Sequence, residues 1–224
     1  GLANNVGGAF RTLQHAWDIV AGLDLSIYTV TVQIADGTYA GITATAVPVG
    51  ANSIVFQGNA AAPANVVINS ANGFFIGGPA QITGKDLKLA CSGTCLYAQH
   101  PGAALKFANL DFGASGDHIR SDAGQIYGIG NYAISGGAGR HLLGGPISLS
   151  NIAVTLSGAP NFSGAFALIA GLSAITLWNV TWVGAATGQR YSVSGNGVIN
   201  TFGQSTTWLP GSVAGATSAG GQYL

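Results

Sequence analysis

Five segments of the chain repeat one pattern: apolar, any, apolar or Gly, any, Asn or Asp, apolar, any, apolar. They are ITGKDLKL (82–89), LKFANLDF (105–112), IYGIGNYAI (126–134, one residue longer), ISLSNIAV (147–154) and ITLWNVTW (175–182). The polar residue falls at Asp86, Asn109, Asn131, Asn151 and Asn179, at intervals of 23, 22, 20 and 28. Alternating apolar side chains have the period of a strand. Two short strands joined at one Asn and returning every twenty-odd residues are the signature of a β-solenoid. Asn tolerates left-handed backbone and so suits a tight bend between two faces. Stacked on successive coils, such side chains can hydrogen-bond along the axis. With coils about 4.8 Å apart, eight or nine of them make a rod on the order of 40 Å long.

Short apolar runs at 29–34, 41–46, 53–57, 65–68 and 74–76, separated by Gly, Pro and Asn, fit three strands per coil. Before them, Phe10, Leu13, Trp17 and Val20 share one helical face, and Gly22 can end that helix. A helix here covers the otherwise open edge of the first coil, which makes Phe10, Leu13 and Trp17 core residues. The expected fold is all-β: a single right-handed parallel β-helix with a short N-terminal capping helix and a Gly-rich C-terminal extension. Its segments are 1–24 (cap), 25–200 (β-helix) and 201–224 (extension). The extension has too few apolar residues for a core of its own, so it lies against the rod, lies against a neighbour, or moves freely.

Only 6% of residues are charged, no Glu occurs, and seven Asp balance seven Lys and Arg. A basic nucleic-acid footprint and a polybasic membrane patch are both absent. No apolar run approaches the ~18 residues of a membrane-spanning helix. The sequence contains no Met and opens without a basic signal region, as expected of a piece of a longer protein. Cys91 and Cys95 admit a local disulfide or two buried thiols, and no set of ligands suggests a metal or cofactor.

The densest polar cluster is Asp111 to Asp122, where Asp117, His118, Arg120 and Asp122 are candidate catalytic groups. Asp117 or Asp122 could serve as acid or base, with His118 and Arg120 holding an anionic sugar. A polar turn between coils is the plainer reading of the same residues. Arg140 and His141 are read as loop residues able to contact an acidic glycan. The repeat places Trp182 inside, in register with Val154 and Phe112. Trp178 then points outward, where it can fill an interface or stack on a sugar.

Two stretches carry a resemblance. AFRTLQHA (9–16), followed by VQIADGTY (32–39), resembles the opening segment of pectate-lyase-like β-helix proteins. GAATGQRYSV (184–193), NGVINT (196–201), LPG (209–211) and GGQY (220–223) are similar to the C-terminal part of bacteriophage or prophage tail-fibre and tailspike proteins. The resemblance implies a structural, adhesive segment of a virion tail appendage, made in the bacterial cytoplasm and facing outward. It implies a homotrimer that binds a host surface polysaccharide or lipopolysaccharide. A polysaccharide depolymerase using the Asp117–Asp122 cluster, or a bacterial surface adhesin, are the alternatives.

Overall fold

A computed structural model describes residues 8–50 and 54–224 of the chain. It is a parallel β-solenoid of about eight turns, with 51% strand against 6% helix. Each coil contributes to two sheets. The first runs in order through Val30–Gln33, Ile54–Gln57, Gln81–Leu89, Ala104–Phe112, Gln125–Gly128, Ile147–Leu156, Ala174–Val183, Val198–Asn200 and Gln222–Tyr223. The second runs from Ile42–Ala44 through Phe74–Ile76, Thr94–Ala98, Asp117–Ser121, Ala138–Gly144, Asn161–Ala170 and Tyr191–Ser194 to Ala216–Thr217. Ser53, at the start of one expected strand, lies outside the described residues, as does the beginning of the cap.

The interior is built from columns of side chains, one per coil. Ile54, Ile82, Leu105, Ile126, Ile147, Ile175 and Ile199 stand in register across successive pairings, and all are at most 1% exposed. Each such side chain stabilises the fold by roughly 1.5–3 kcal/mol. Two places along, Phe56, Gly84, Phe107 and Gly128 alternate large and small. A Cβ on Gly84 would lie 3.3 Å from the Phe74 ring, so Gly here leaves room for an aromatic side chain.

The expected bend is present in the first sheet. Asp86, Asn109, Asn151 and Asn179 all have positive φ, between 48° and 62°. Left-handed backbone is tolerated by Asn and Asp because their side chains satisfy local polar groups. Asn109 Nδ2 donates to Asp86 Oδ1 at 2.9 Å, and Asn179 Nδ2 donates to Asn151 Oδ1 at 2.9 Å. Asn131 departs from this pattern. Its repeat has one residue more, and the strand breaks into Gln125–Gly128 and Tyr132–Ile134. The Asn131 side chain instead accepts from Ala153 N at 2.8 Å.

The N-terminal helix spans Leu13–Ala21, with Thr12 as its N-cap accepting from His15 N. Leu13, Ala16, Trp17 and Val20 are buried. Phe10 is not in the core: it is 36% exposed and sets its ring edge-on to His15 at 5.0 Å. Phe10 precedes the helix, so the helical period does not govern where its side chain goes. Residues 201–224 lie against the rod and form a further, partial coil. Ala216–Thr217 and Gln222–Tyr223 pair with the coil before, Leu209 is buried, and Tyr223 stacks on Tyr191 at 4.2 Å.

Candidate functional site

The polar cluster of 117–122 is divided by the pleat of its strand. Asp117 aligns with Arg140 on the next coil, and the two form a bidentate ion pair of 2.7 and 2.8 Å. At the other end of the strand, Arg120 grips Asp122 through bonds of 2.9 and 3.1 Å. Tyr97 of the preceding coil donates its hydroxyl to Asp122 at 2.5 Å and lies under the Arg120 guanidinium, 4.7 Å from ring centre to Cζ. Partial burial pushes the Asp122 carboxyl up, but the Arg120 and Tyr97 hydrogen bonds outweigh it and bring its pKa below the ordinary value. Burial, reinforced by the bond to Asp122, raises the Tyr97 phenol.

Asp122 stands five positions after Asp117, just past the end of the strand Asp117–Ser121, roughly 16 Å away at the usual rise. Glycosidase carboxyls stand about 5–9.5 Å apart and one of them keeps a raised pKa. These two share no groove. Arg120 and Asp122 line an open notch of about 370 Å³ with Leu143, Leu168, Leu172 and Ser173, and Asp117 does not reach it. Gly144 and Gly145 also line the notch, and there the backbones of neighbouring coils approach closely. A Cβ on Gly145 would fall 2.4 Å from the Ala174 carbonyl oxygen.

His118 and His141 correct the sequence reading. Both are fully buried inside the solenoid, so neither faces a loop or a ligand on the surface. In both strands two successive residues are fully buried, His118 with Ile119 and His141 with Leu142, and the pairing of Ala138–Gly144 with Asn161–Ala170 shifts register between Ala138 and Arg140. Arg140, like His141, lies in the strand Ala138–Gly144 and not in a loop; its side chain remains partly exposed, with its fork occupied by Asp117. Cys91 and Cys95 are both buried and carry no disulfide, and Cys95 Sγ lies 2.9 Å from Ser115 Oγ. Among the described residues, no group of three His, Cys, Asp or Glu side chains could hold a metal.

Trp178 points outward and is half-exposed, aligned with Ser150 on the coil before. Its ring meets Phe202 edge to face at 4.6 Å, and Phe202 is equally exposed. The Phe202 backbone has φ 59°, a left-handed conformation that a bulky residue adopts only under constraint. Asn200 Oδ1 holds it there, accepting from Phe202 N at 3.0 Å. Beside Trp178 stand Asn179 and Asn151, the last two steps of the Asn ladder, with Ser150 bonded to Asn151. The result is a rigid, uncharged patch of two aromatic rings flanked by amides and a hydroxyl. Aromatic faces with neighbouring neutral donors and acceptors suit a sugar ring, whose C–H face is apolar and whose rim is polar.

Trp182 is half-buried against the core, meeting Phe166 at 5.1 Å and Trp208 at 5.8 Å. Its register partners are Val154 and, one coil further, Tyr132; Phe112 aligns with Ile134. The offset arises between the third and fourth repeats: Ile126 aligns with Ile147 but Ile134 with Leu156, two residues beyond Val154. Comparison with protein-family models, with curated proteins and with solved structures gives no match.

Proposed function

We propose that this chain is a structural and adhesive segment of a phage tail-fibre or tailspike-like appendage, and that it binds a neutral host-surface glycan on the Trp178–Phe202 platform. The observation that carries the reading is Phe202. Strained backbone of this kind costs about 1–3 kcal/mol, and a ring held half-exposed by it does not serve the core. The solenoid supports the reading by fixing Trp178 on a paired strand, while Asn200 Oδ1 holds the Phe202 backbone just past the next strand, which places the two rings before a ligand arrives. The carboxylates support binding over cleavage, because Asp117 and Asp122 are separately ion-paired.

The test is an array of bacterial surface polysaccharides and lipopolysaccharides probed with the purified chain, followed by calorimetric titration of any hit. Trp178→Ala and Phe202→Ala should each weaken binding at least tenfold with the melting temperature nearly unchanged. Full binding by both variants, or release of reducing ends from the bound polysaccharide, would reject the proposal. The appendage reading also includes a homotrimer. Sedimentation at micromolar concentration should then give three times the 22.3 kDa chain mass, and a monomer would remove that part.

A further inference from the structure

Three buried side chains meet inside the middle coils. Tyr132 Oη lies 2.7 Å from His141 Nε2, His141 Nδ1 lies 3.0 Å from His118 Nδ1, and His118 Nε2 lies 3.0 Å from the Gly113 carbonyl oxygen. Their surroundings are Phe112, Phe162 and Phe166. A carbonyl only accepts, so His118 carries a proton on Nε2. With His118 neutral, its Nδ1 must accept, which makes His141 donate from Nδ1 and accept at Nε2 from the Tyr132 hydroxyl. Every donor and acceptor is then matched, in one direction, with both rings uncharged.

One added proton upsets this arrangement. If it goes to His118 Nδ1, His141 must move its own proton to Nε2 and donate to Tyr132, whose hydroxyl then has no acceptor among the described residues. A second proton sets N–H against N–H between the rings. The nearby charges do not compensate. Asp117, held by Arg140, and Asp111, held through Oδ2 by Lys88 with Oδ1 unpaired, favour a charged His118, but burial outweighs them, and the neighbouring column position on the coil before holds the neutral thiol of Cys95.

We propose that the Tyr132–His141–His118–Gly113 chain is an acid-sensitive latch, which ties the coils from 113 to 144 together when neutral and loosens them ahead of the rest in mild acid. Burial pushes the His118 pKa down from 6.5 to about 4, and burial together with the neighbouring His118 takes His141 well below its ordinary value. In opened coils both rings return to the ordinary 6.5. A depressed histidine is neutral in either state above that value and contributes its full stability there. As pH falls from 6.5 towards 4, the opened form takes up protons that the closed form refuses. The closed-to-open ratio then drops roughly tenfold per pH unit for each histidine, about a hundredfold for the pair. Carboxylates, ordinarily near 3.8, begin to contribute only below about pH 5, so the part of this window above pH 5 belongs to the imidazoles.

The test is hydrogen exchange by mass spectrometry on the whole chain between pH 7 and 4.5, corrected for intrinsic rates, together with denaturant unfolding at each pH. Peptides covering 113–144 should lose protection first, and stability should fall steeply below pH 6.5. The triple variant His118→Leu, His141→Leu, Tyr132→Phe should show a flat profile over the same range. Should that variant fail to fold, nitrogen-15 histidine spectra of the unmodified chain decide the matter. Neutral His118 protonated on Nε2 and neutral His141 protonated on Nδ1 at pH 5.5 support the latch. Exchange that starts at the ends of the rod, a wild-type stability flat from pH 7 to 4.5, or either ring titrating near 6.5 in the folded chain would overturn it.

Discussion

The Gln14 side-chain amide pairs with both backbone groups of Thr43: Thr43 N donates to Oε1 at 2.7 Å and Nε2 donates to the Thr43 carbonyl at 3.2 Å. The amide thus stands where the backbone of a preceding coil would lie, and it closes the edge of the second sheet at Ile42–Ala44. An open edge offers unpaired N–H and C=O groups to any other chain. Gln14→Leu should therefore cost about 1–3 kcal/mol, from two hydrogen bonds of roughly 0.5–1.5 kcal/mol each. It should also increase association on standing. Denaturant midpoints and light scattering check the two effects.

Asn151 separates side-chain bonding from backbone strain. Its φ is 55° and its Oδ1 accepts from Asn179. Asn151→Gly loses the bond but keeps the conformation, and with the added unfolded-chain entropy of glycine should cost about 1.5–2 kcal/mol. Asn151→Ala loses the bond and also meets the left-handed penalty of about 1–2 kcal/mol, for a total of about 2–3 kcal/mol. Equal costs for the two would mean that the bend does not need left-handed tolerance.

Arg140 and Arg120 make similar bidentate pairs in different surroundings. The Asp117 side chain is 8% exposed and the Asp122 side chain 38%. Arg140→Ala leaves a nearly buried carboxylate without its partner and should cost about 2–3 kcal/mol, below the range for fully buried pairs because Arg140 itself is a third exposed. Arg120→Ala should cost about 1 kcal/mol or less, ion pair and Tyr97 contact together. A double-mutant cycle with Asp117→Asn measures the first coupling directly.

The solenoid was legible because its columns repeat the same residue types at the same register, as the Ile54 to Ile199 column shows. The bend was legible for a similar reason, since only a few residues accept positive φ. What escaped was whatever departs from the period. His118 and His141 each stand beside a second fully buried residue, Ile119 and Leu142, against strict alternation, and charged neighbours made the segment look like a surface turn. Gln14 reads as one more polar residue of a helix, because its partner, Thr43, is 29 residues away. Phe202 sits at the start of a Gly-, Ser- and Thr-rich stretch with no period to place it, and only the backbone angle distinguishes it.

That angle leads to the sharpest prediction. In Phe202→Gly the left-handed conformation becomes free of steric cost, a gain of about 1–2 kcal/mol. Against it stand the greater entropy of glycine in the unfolded chain and the lost edge-to-face contact with Trp178, each about 0.5–1 kcal/mol. Stability should therefore change by less than about 1 kcal/mol in either direction, while glycan binding falls at least tenfold. Phe202→Leu, which keeps the strain and removes only the aromatic ring, should be less stable than Phe202→Gly and bind no better. If Phe202→Gly instead loses several kcal/mol, the ring is a structural plug at the end of the Asn ladder and not a binding surface. Urea titrations of the two variants beside the wild-type chain distinguish these outcomes.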